Sequence, residues 1–444
     1  GSGGVSESGG SDGSGGSSET GGTSSGGSGG SGGTDGSGGS DGTGGSGGAA
    51  DVCSGLATPP DFTNQEVTSV SACRTITASG VYELTADLSF PAGTCISIAD
   101  TTFVKLDCAG HKIAGFVPLD ISNVDHFEIT NCTFEPHPSY GRVYVKDSSA
   151  GFVHHDVFEK GVMDVASSSD FHAYNNDVRA IWQQRQTYDS SVSCNTLTSP
   201  TNTQSIPGVL VSSEGHHNRF EQNFIDGKWT EVRAPLAFLG ADDGILISTE
   251  HHTIIRANTI VRVWDTGIES VGYIHDMVID DNDVSIAGYY GIGGWYWSSV
   301  SDSVISNNRI SQATSAFFFA RNYGLNAATQ TQPAEEKVRF DNNLFDGNVF
   351  SNQAIPESYT SYPVAFAYVF QNMGYSGELS AIPGERVPGP GDFLIENNVF
   401  KNNVLEPTTG AAAVFGSPVV PGIVIDDVGN RCPPDAVGPL NCLP

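Results

Sequence analysis

Basic residues are scarce in this 444-residue chain: 20 Lys and Arg stand against 50 Asp and Glu, for a formal charge of −30. The acids are spread along the chain, which excludes a phosphate-tracking surface and with it nucleic acid as a partner. The same field repels polyuronates in general unless a local basic patch reverses it, and it also keeps a chain soluble. Long apolar runs are missing as well, and none approaches the roughly 20 residues that a membrane span needs. Helical periodicity is absent. No CxxC pair and no Cys/His spacing of the zinc type occurs, so no metal and no cofactor is expected.

The first 50 residues lack Lys and Arg and carry Val5 as their one large apolar side chain. Gly, Ser, Thr and Asp fill the rest, 24 of the 55 glycines among them, so this stretch cannot build a core and reads as a disordered tether. Residues 51–72 read as a lead-in and N-terminal cap, 73–430 as one long solenoid, and 431–444 as a C-terminal cap. All eight cysteines lie beyond the tether, toward the two ends of the folded part. That placement suggests disulfides and an oxidising compartment. Cys73 is expected to pair with Cys95 and Cys432 with Cys442; for Cys108, Cys132 and Cys194, pairing and burial as free thiols both remain open. The chain opens at Gly1 rather than Met, and a tether ahead of a solenoid resembles the stalk of a surface lipoprotein. The expectation is a secreted, cell-surface or periplasmic monomer whose signal peptide or lipid-bearing Cys lay upstream.

What the sequence has in abundance is one short phrase: Asn or a stand-in, a free residue, then a large apolar residue. It stands as Cys132-Thr-Phe134, Asp156-Val-Phe158, Asn176-Asp-Val178, Asn195-Thr-Leu197, Asn223-Phe-Ile225, Asn258-Thr-Ile260, Asn282-Asp-Val284, Asn308-Arg-Ile310, Asn343-Leu-Phe345 and Asn398-Val-Phe400. Spacings of 19 to 28 residues dominate, and those of 35 and 55 read as the same unit with an inserted loop. A unit this short cannot bury its own apolar face and must stack on its neighbours. An Asn at a turn can then lay its amide against its counterpart in the next coil, with Cys132 and Asp156 as imperfections in that ladder. A second row of strands starts at Gly244, Gly267, Gly291 and Ala316, spaced 23, 24 and 25 residues apart. Alternation puts Ile245, Ile247, Ile268 and Ile292 inside and Leu246 and Glu269 outside. Three departures, at about 227–241, 322–338 and 351–391, interrupt the period as long loops that commonly carry function.

The opening coils, Cys73–Leu88, Cys95–Ile98 and above all Leu106-Asp-Cys-Ala-Gly-His-Lys-Ile113, resemble right-handed parallel β-helix proteins of the superfamily that includes pectin-lyase-like and NosD-like members. There the phrase "L-D-L-N-G-H-x-I" is common. The resemblance covers about residues 73–430 and implies an all-β, single-stranded right-handed parallel β-helix; it speaks to fold and says little about activity.

Adjacent coils lie about 4.8 Å apart, so the second row of strands would gather Asp242, Asp243, Asp265 and Glu269 within roughly 5 to 10 Å of one another. Two carboxyl groups in that range can divide acid and base roles in glycoside hydrolysis, and crowding raises the pKa of at least one. Asp243 or Asp265 is the expected acid, with Glu269 or Asp242 as nucleophile or base. The next coils bring Tyr289, Tyr290, Trp295, Tyr296, Trp297 and Arg321 as a sugar-binding set, and Trp229, Arg233, His251, His252 and Tyr323 as extensions of the groove. Against this, Asp before a strand is often turn chemistry, and clustered Trp can simply pack under a loop. Gly240-Ala-Asp-Asp-Gly-Ile-Leu-Ile247 resembles the "G-D-D-C-I" coil of polygalacturonase-type hydrolases; the other three motifs of that family are not found, and Asp265 would replace a missing acid from a different coil.

The leading expectation is therefore a polysaccharide-binding β-helix, sharpened to a glycoside hydrolase. Its rivals are a non-catalytic carbohydrate-binding or adhesive module, a lyase or epimerase, and an accessory periplasmic protein. A lyase would use the basic set Arg179, Arg185, Arg219, Lys228, Arg233, His216 and His217, which otherwise reads as scattered turn charges. Glu135-Pro-His137 faintly resembles the "D-P-H" phrase of alginate epimerases. Asp280-Asp-Asn-Asp283 could attract calcium but falls on the recurrent turn and needs no ion.

Overall fold

Apolar and polar residues alternate here over runs too short to be stable alone, so each strand depends on the coil above and below it. The computed structural model describes residues 53, 56–137, 141–199, 206–229, 240–288, 290–294, 299–313, 315–321, 338–351, 369–372, 393–406 and 425–431. Among them are 38 strands and no helix. The pairings from coil to coil are parallel. Two long ribbons, Leu88–Asp107 and Lys112–Thr130, open the solenoid. Pairing starts earlier than the expected Cys73, because Val67–Val70 already lies parallel to Gly80–Leu84.

After the ribbons the coils supply strands in three rows, and from Tyr273 onward a fourth row joins them, made of Tyr273–His275, Ser299–Ser301, Val338–Asp341 and Phe393–Glu396. One row includes Ile206–Ser213, Ala241–Ser248, Thr266–Val271, Tyr290–Gly294 and Ser315–Arg321. Its register is Leu210, Ile245, Ile268, Ile292 and Phe317, the side-by-side arrangement expected from the spacing. A second row stacks Ile129, Val153, Ala173, Val192, Phe220, Ile255, Ile279, Ile305, Phe345 and Phe400. A third stacks Phe134, Phe158, Val178, Leu197, Ile225, Ile260, Val284, Ile310, Phe350 and Leu405. All of these side chains are buried in one continuous core. The architecture is a right-handed parallel β-helix.

The Asn ladder is present and runs from Asn176 through Asn195, Asn223, Asn258, Asn282 and Asn308 to Asn348, Asn403 and Asn430. Asn258 is representative. Its Nδ2 donates to Asn282 Oδ1 at 2.9 Å and to the Phe220 carbonyl at 2.8 Å, while its Oδ1 accepts from Asn223. Residues just before the ladder position, such as Ala257 and Asp281, take φ near +55°, which costs an L-residue about 1–2 kcal/mol. The amide bonds, each worth about 1 kcal/mol net, offset that cost and satisfy buried turn carbonyls.

The sequence reading assigned Asn343 and Asn398 to this ladder, and the structure corrects it. Asn343 accepts from the Ser303 backbone at 3.1 Å and donates to Asn398 at 3.0 Å, in a separate column under the second row. The coil Asn343-Leu-Phe-Asp-Gly-Asn348-Val-Phe350 writes the phrase twice, five residues apart, because both turns use the same chemistry. Asp156 is less of an imperfection than expected: its Oδ1 accepts the Cys132 N–H at 2.7 Å and its own N–H donates to Asn176 Oδ1 at 2.9 Å.

Three disulfides occur among the described residues. Cys73–Cys95 matches the expectation, and Cys108–Cys132 and Cys53–Cys194 settle the open alternatives in favour of pairing. Cys432 and Cys442 lie outside the described residues.

Asp156 Oδ2 stands where its neighbours place an amide Nδ2, buried and without a hydrogen-bond partner. Burial pushes this carboxyl well above its ordinary 3.8, so the neutral acid is the form that the fold holds. Its contribution is complete below that ordinary value and is lost as pH rises toward the elevated folded value. Asp156→Asn should therefore stabilise the protein at pH 7 by about 1 kcal/mol, with a smaller gain at pH 4, measured by thermal melts at both pH values.

Candidate active site

Gly244 and Gly267 lie in the adjacent strands Ala241–Ser248 and Thr266–Val271, each one position ahead of the paired Ile245 and Ile268. A Cβ on Gly244 would come within 2.4 Å of Ile260 Cγ2 and 2.6 Å of the Gly267 carbonyl. One on Gly267 would meet Val284 Cγ1 at 2.3 Å. Only glycine fits at these two places. Asp242 and Asp243 stand just ahead of Gly244 and of the apolar run that begins at Ile245.

Asp243 lies opposite Gly208, which offers no side chain on that flank. It is 3 % exposed, its Oδ1 accepts the Thr266 N–H at 3.1 Å, and it shares a side-chain hydrogen bond with Glu269. Burial pushes its carboxyl well above the usual range, and the charges of Glu269, Asp265 and Asp242 add to the effect. Glu269 is 7 % exposed and sits between Leu246 and Gly293 in the register. Alternation with the buried Ile268 sets it on the outer side of the strand, as expected. Asp242 is half-buried, with Oδ1 inaccessible and unpartnered; burial, then the Glu269 charge, push its carboxyl up to about 6. Asp265 accepts from Thr266 Oγ1 at 3.2 Å, and its N–H donates to the Asp242 carbonyl at 2.7 Å. Asp243 thus feels the charges of the other three carboxylates, and Asp242 that of Glu269.

The expected sugar-binding set is less fully described. Tyr290 stands opposite Thr266 in the next coil and is only 6 % exposed. Tyr289, Trp295, Tyr296 and Trp297 lie outside the described residues, as do Arg233, Tyr323 and the side chain of Arg321. His251 and His252 were expected to extend the groove. They follow the C-terminal end of the strand instead, and stack on His275 and His217 at 4.8 Å each.

Three of the basic residues are taken up by carboxylates on the same or neighbouring coils. Arg179 pairs with Asp177 and Glu159, Arg185 with the buried Asp164, and Arg219 with Glu221. Glu135 of the epimerase-like phrase pairs with Lys112 and Lys160. Asp280 Oδ1 accepts from Ser306 and Asn307, so this turn is held by hydrogen bonds within the coils.

Sequence reasoning missed a second polar group in the early coils. Glu128, 5 % exposed, contacts Lys105 Nζ at 2.8 Å and His154 Nε2 at 3.2 Å. Burial alone would push Glu128 up, but His154 and Lys105 outweigh it and hold the carboxyl below its usual range. Tyr174 stacks on His154 at 4.9 Å and is pushed up to about 12 by burial and by the Glu128 charge. These residues lie 20 to 26 apart and share no phrase, so only the coil register brings them together.

A family model described as a right handed beta helix region matches residues 236–365, the coils that carry the carboxylates. The described coils have the right-handed parallel β-helix fold that this family model describes. Solved structures of similar course include a tailspike protein of E. coli bacteriophage HK620, at 10 % identity and a TM-score of 0.49, covering 76 % of this chain and 62 % of that one. The A-module of the Azotobacter vinelandii mannuronan C-5 epimerase AlgE6 matches at 10 % identity and 0.49, covering 80 % and 91 %. An exopolygalacturonase from Thermotoga maritima matches at 9 % and 0.42, covering 66 % and 82 %. The chain thus spans about 62 % of the tailspike's length, and at these identities the likeness concerns the fold alone. No curated protein matches by sequence.

A carboxyl near 6 beside an ionised partner has a direct readout. Carbon NMR of the labelled carboxylates should give Asp242 a midpoint of about 6, and Glu269→Gln, which removes a neighbouring charge, should lower that midpoint toward 3.8. An Asp242 midpoint near 4 in the unaltered protein would contradict the described burial.

Proposed function

We propose that this protein hydrolyses a polysaccharide at the Asp242, Asp243, Asp265 and Glu269 cluster, working as a monomer outside the cytoplasm. The observation that carries the reading is the unequal crowding of the four groups. Asp243 is buried and hydrogen-bonded to Glu269, whereas Asp242 is half-exposed, its carboxyl pushed up to about 6 by burial and by the Glu269 charge. A carboxyl raised to about 6 beside a second carboxyl whose charge helps raise it is what acid and base roles in glycoside cleavage require.

The roles differ from those first expected. Neutral Asp243 donates its proton as a hydrogen bond to Glu269, which keeps Glu269 ionised and oriented as nucleophile or base. The Glu269 charge in turn helps keep Asp242 protonated, so Asp242, the more accessible of the two aspartates, gives its proton to the glycosidic oxygen. Asp265 adds negative charge that raises Asp243 further. The described disulfides support an oxidising compartment, which suits a secreted, surface or periplasmic enzyme.

The test is a panel of glycans incubated with the purified protein and read for shortened products by mass spectrometry and for unsaturated uronate ends by ultraviolet absorbance. Shortened, saturated products are expected, with a rate that falls as pH rises above about 6 and Asp242 ionises. Asp242→Asn and Glu269→Gln should each lower kcat by about 100-fold or more, and Asp243→Asn by about tenfold, since an amide can still donate to Glu269. Unchanged turnover in both of the first two variants, or unsaturated ends, would overturn the hydrolase. Glycan retention without cleavage would favour the binding module instead.

A further inference from the structure

At the turn that follows the carboxylate strands, consecutive coils present His216-His217, His251-His252 and His275-Asp276 in register. His216, His251 and His275 form a column of parallel bridges, and their rings stack at 5.1 and 4.8 Å. His217 stacks on His252 at 4.8 Å, and His217, His252 and Asp276 share a left-handed backbone with φ of 55°. That shared conformation aims the three second positions in the same direction, one coil repeat apart. In the first two coils the paired rings touch through their Nδ1 atoms at 2.8 Å. In the third, Asp276 replaces the second histidine, and its Oδ2 accepts from His275 Nδ1 at 2.7 Å.

This replacement changes what the row can do. Two neutral imidazoles side by side satisfy each other, whereas a carboxylate beside two imidazoles brings a negative charge to two nitrogen donors. The ligand atoms of His252, His275 and Asp276 all lie within 4.8 Å of one another, and His252 Nε2 is 3.7 Å from Asp276 Oδ2. Donors about 2 Å from a tetrahedral ion lie roughly 3.3 Å apart. The side chains of His252 and Asp276 are 47 % and 43 % exposed, so small rotations close the remaining gap. Stacking on His217 and His251 holds the two rings in place, as outer contacts do in metal sites.

We propose that His252, His275 and Asp276 bind one divalent transition-metal ion, of the zinc or nickel class, that bridges two coils. Two imidazoles and a carboxylate suit that class over calcium or magnesium, which prefer all-oxygen sites. Binding takes the proton now shared between His275 and Asp276, and it leaves the fourth position to water. The site stands apart from the hydrolase reading, which needs none of these residues.

The test is isothermal titration of the untagged full chain with zinc chloride, then nickel chloride and calcium chloride. One zinc or nickel ion per chain should bind, and calcium should give no heat. His252→Gln and Asp276→Asn should each weaken binding at least tenfold, while His217→Gln, which stacks on His252 without supplying a ligand, should change it by less than about threefold. Melting curves establish that each variant is folded. Absence of zinc and nickel heat, equal uptake of calcium, or an equal loss on His217→Gln, which would mean diffuse capture by the histidine row, overturns the site.

Discussion

The amide-to-amide hydrogen bond between one coil's Asn and the next is the interaction on which the rest of this structure depends. Parallel strands of two to eight residues hold register weakly on their own, because an apolar row tolerates sliding. The ladder from Asn176 to Asn430 removes that freedom. Each Nδ2 must meet both an Oδ1 in the next coil and a carbonyl in the preceding one, as Asn258 does with Asn282 and Phe220. Slipping one position would leave several buried polar groups unpaired at about 1–3 kcal/mol each.

Register fixed in this way is what makes a charged cluster possible. Asp243, Asp265 and Glu269 belong to two coils, and their contact exists because Ile245 lies over Ile268 and Leu246 over Glu269. Four acids so close destabilise the fold. The cost is partly relieved by the proton on Asp243 and by the donors Thr266 N–H and Oγ1. A solenoid can carry such a local debt because the apolar columns on either side continue unbroken through it. The same register builds the Lys105, Glu128, His154 and Tyr174 group and the histidine row, with quite different residues.

How much of this was legible in the sequence follows from the same physics. A ladder residue at the turn and its buried partner in the strand that follows are two positions apart, so the phrase survives any loop inserted elsewhere, and the strands at Gly244, Gly267, Gly291 and Ala316 could be aligned by spacing alone. Asn343 and Asn398 were misplaced because two turns of one coil carry the same phrase, and spacing cannot choose between positions five residues apart. The carboxylates were legible since their two coils are adjacent with no insertion. Glu128 and His154 were not, because each stands at an unremarkable position and acquires meaning only beside Lys105 and Tyr174. His251 and His252 stand beyond the far end of the strand that begins at the carboxylates, a distance along the coil that adjacency in sequence does not reveal.

The most direct measurement is a crystal structure of the Glu269→Gln protein with an oligosaccharide that it retains. Sugar density crossing Ala241–Ser248 and Thr266–Val271, with a glycosidic oxygen within hydrogen-bonding reach of Asp242, is the result expected of a hydrolase built on these coils. Sugar bound over Lys105, Glu128 and His154, with the carboxylate cluster bare, would contradict it.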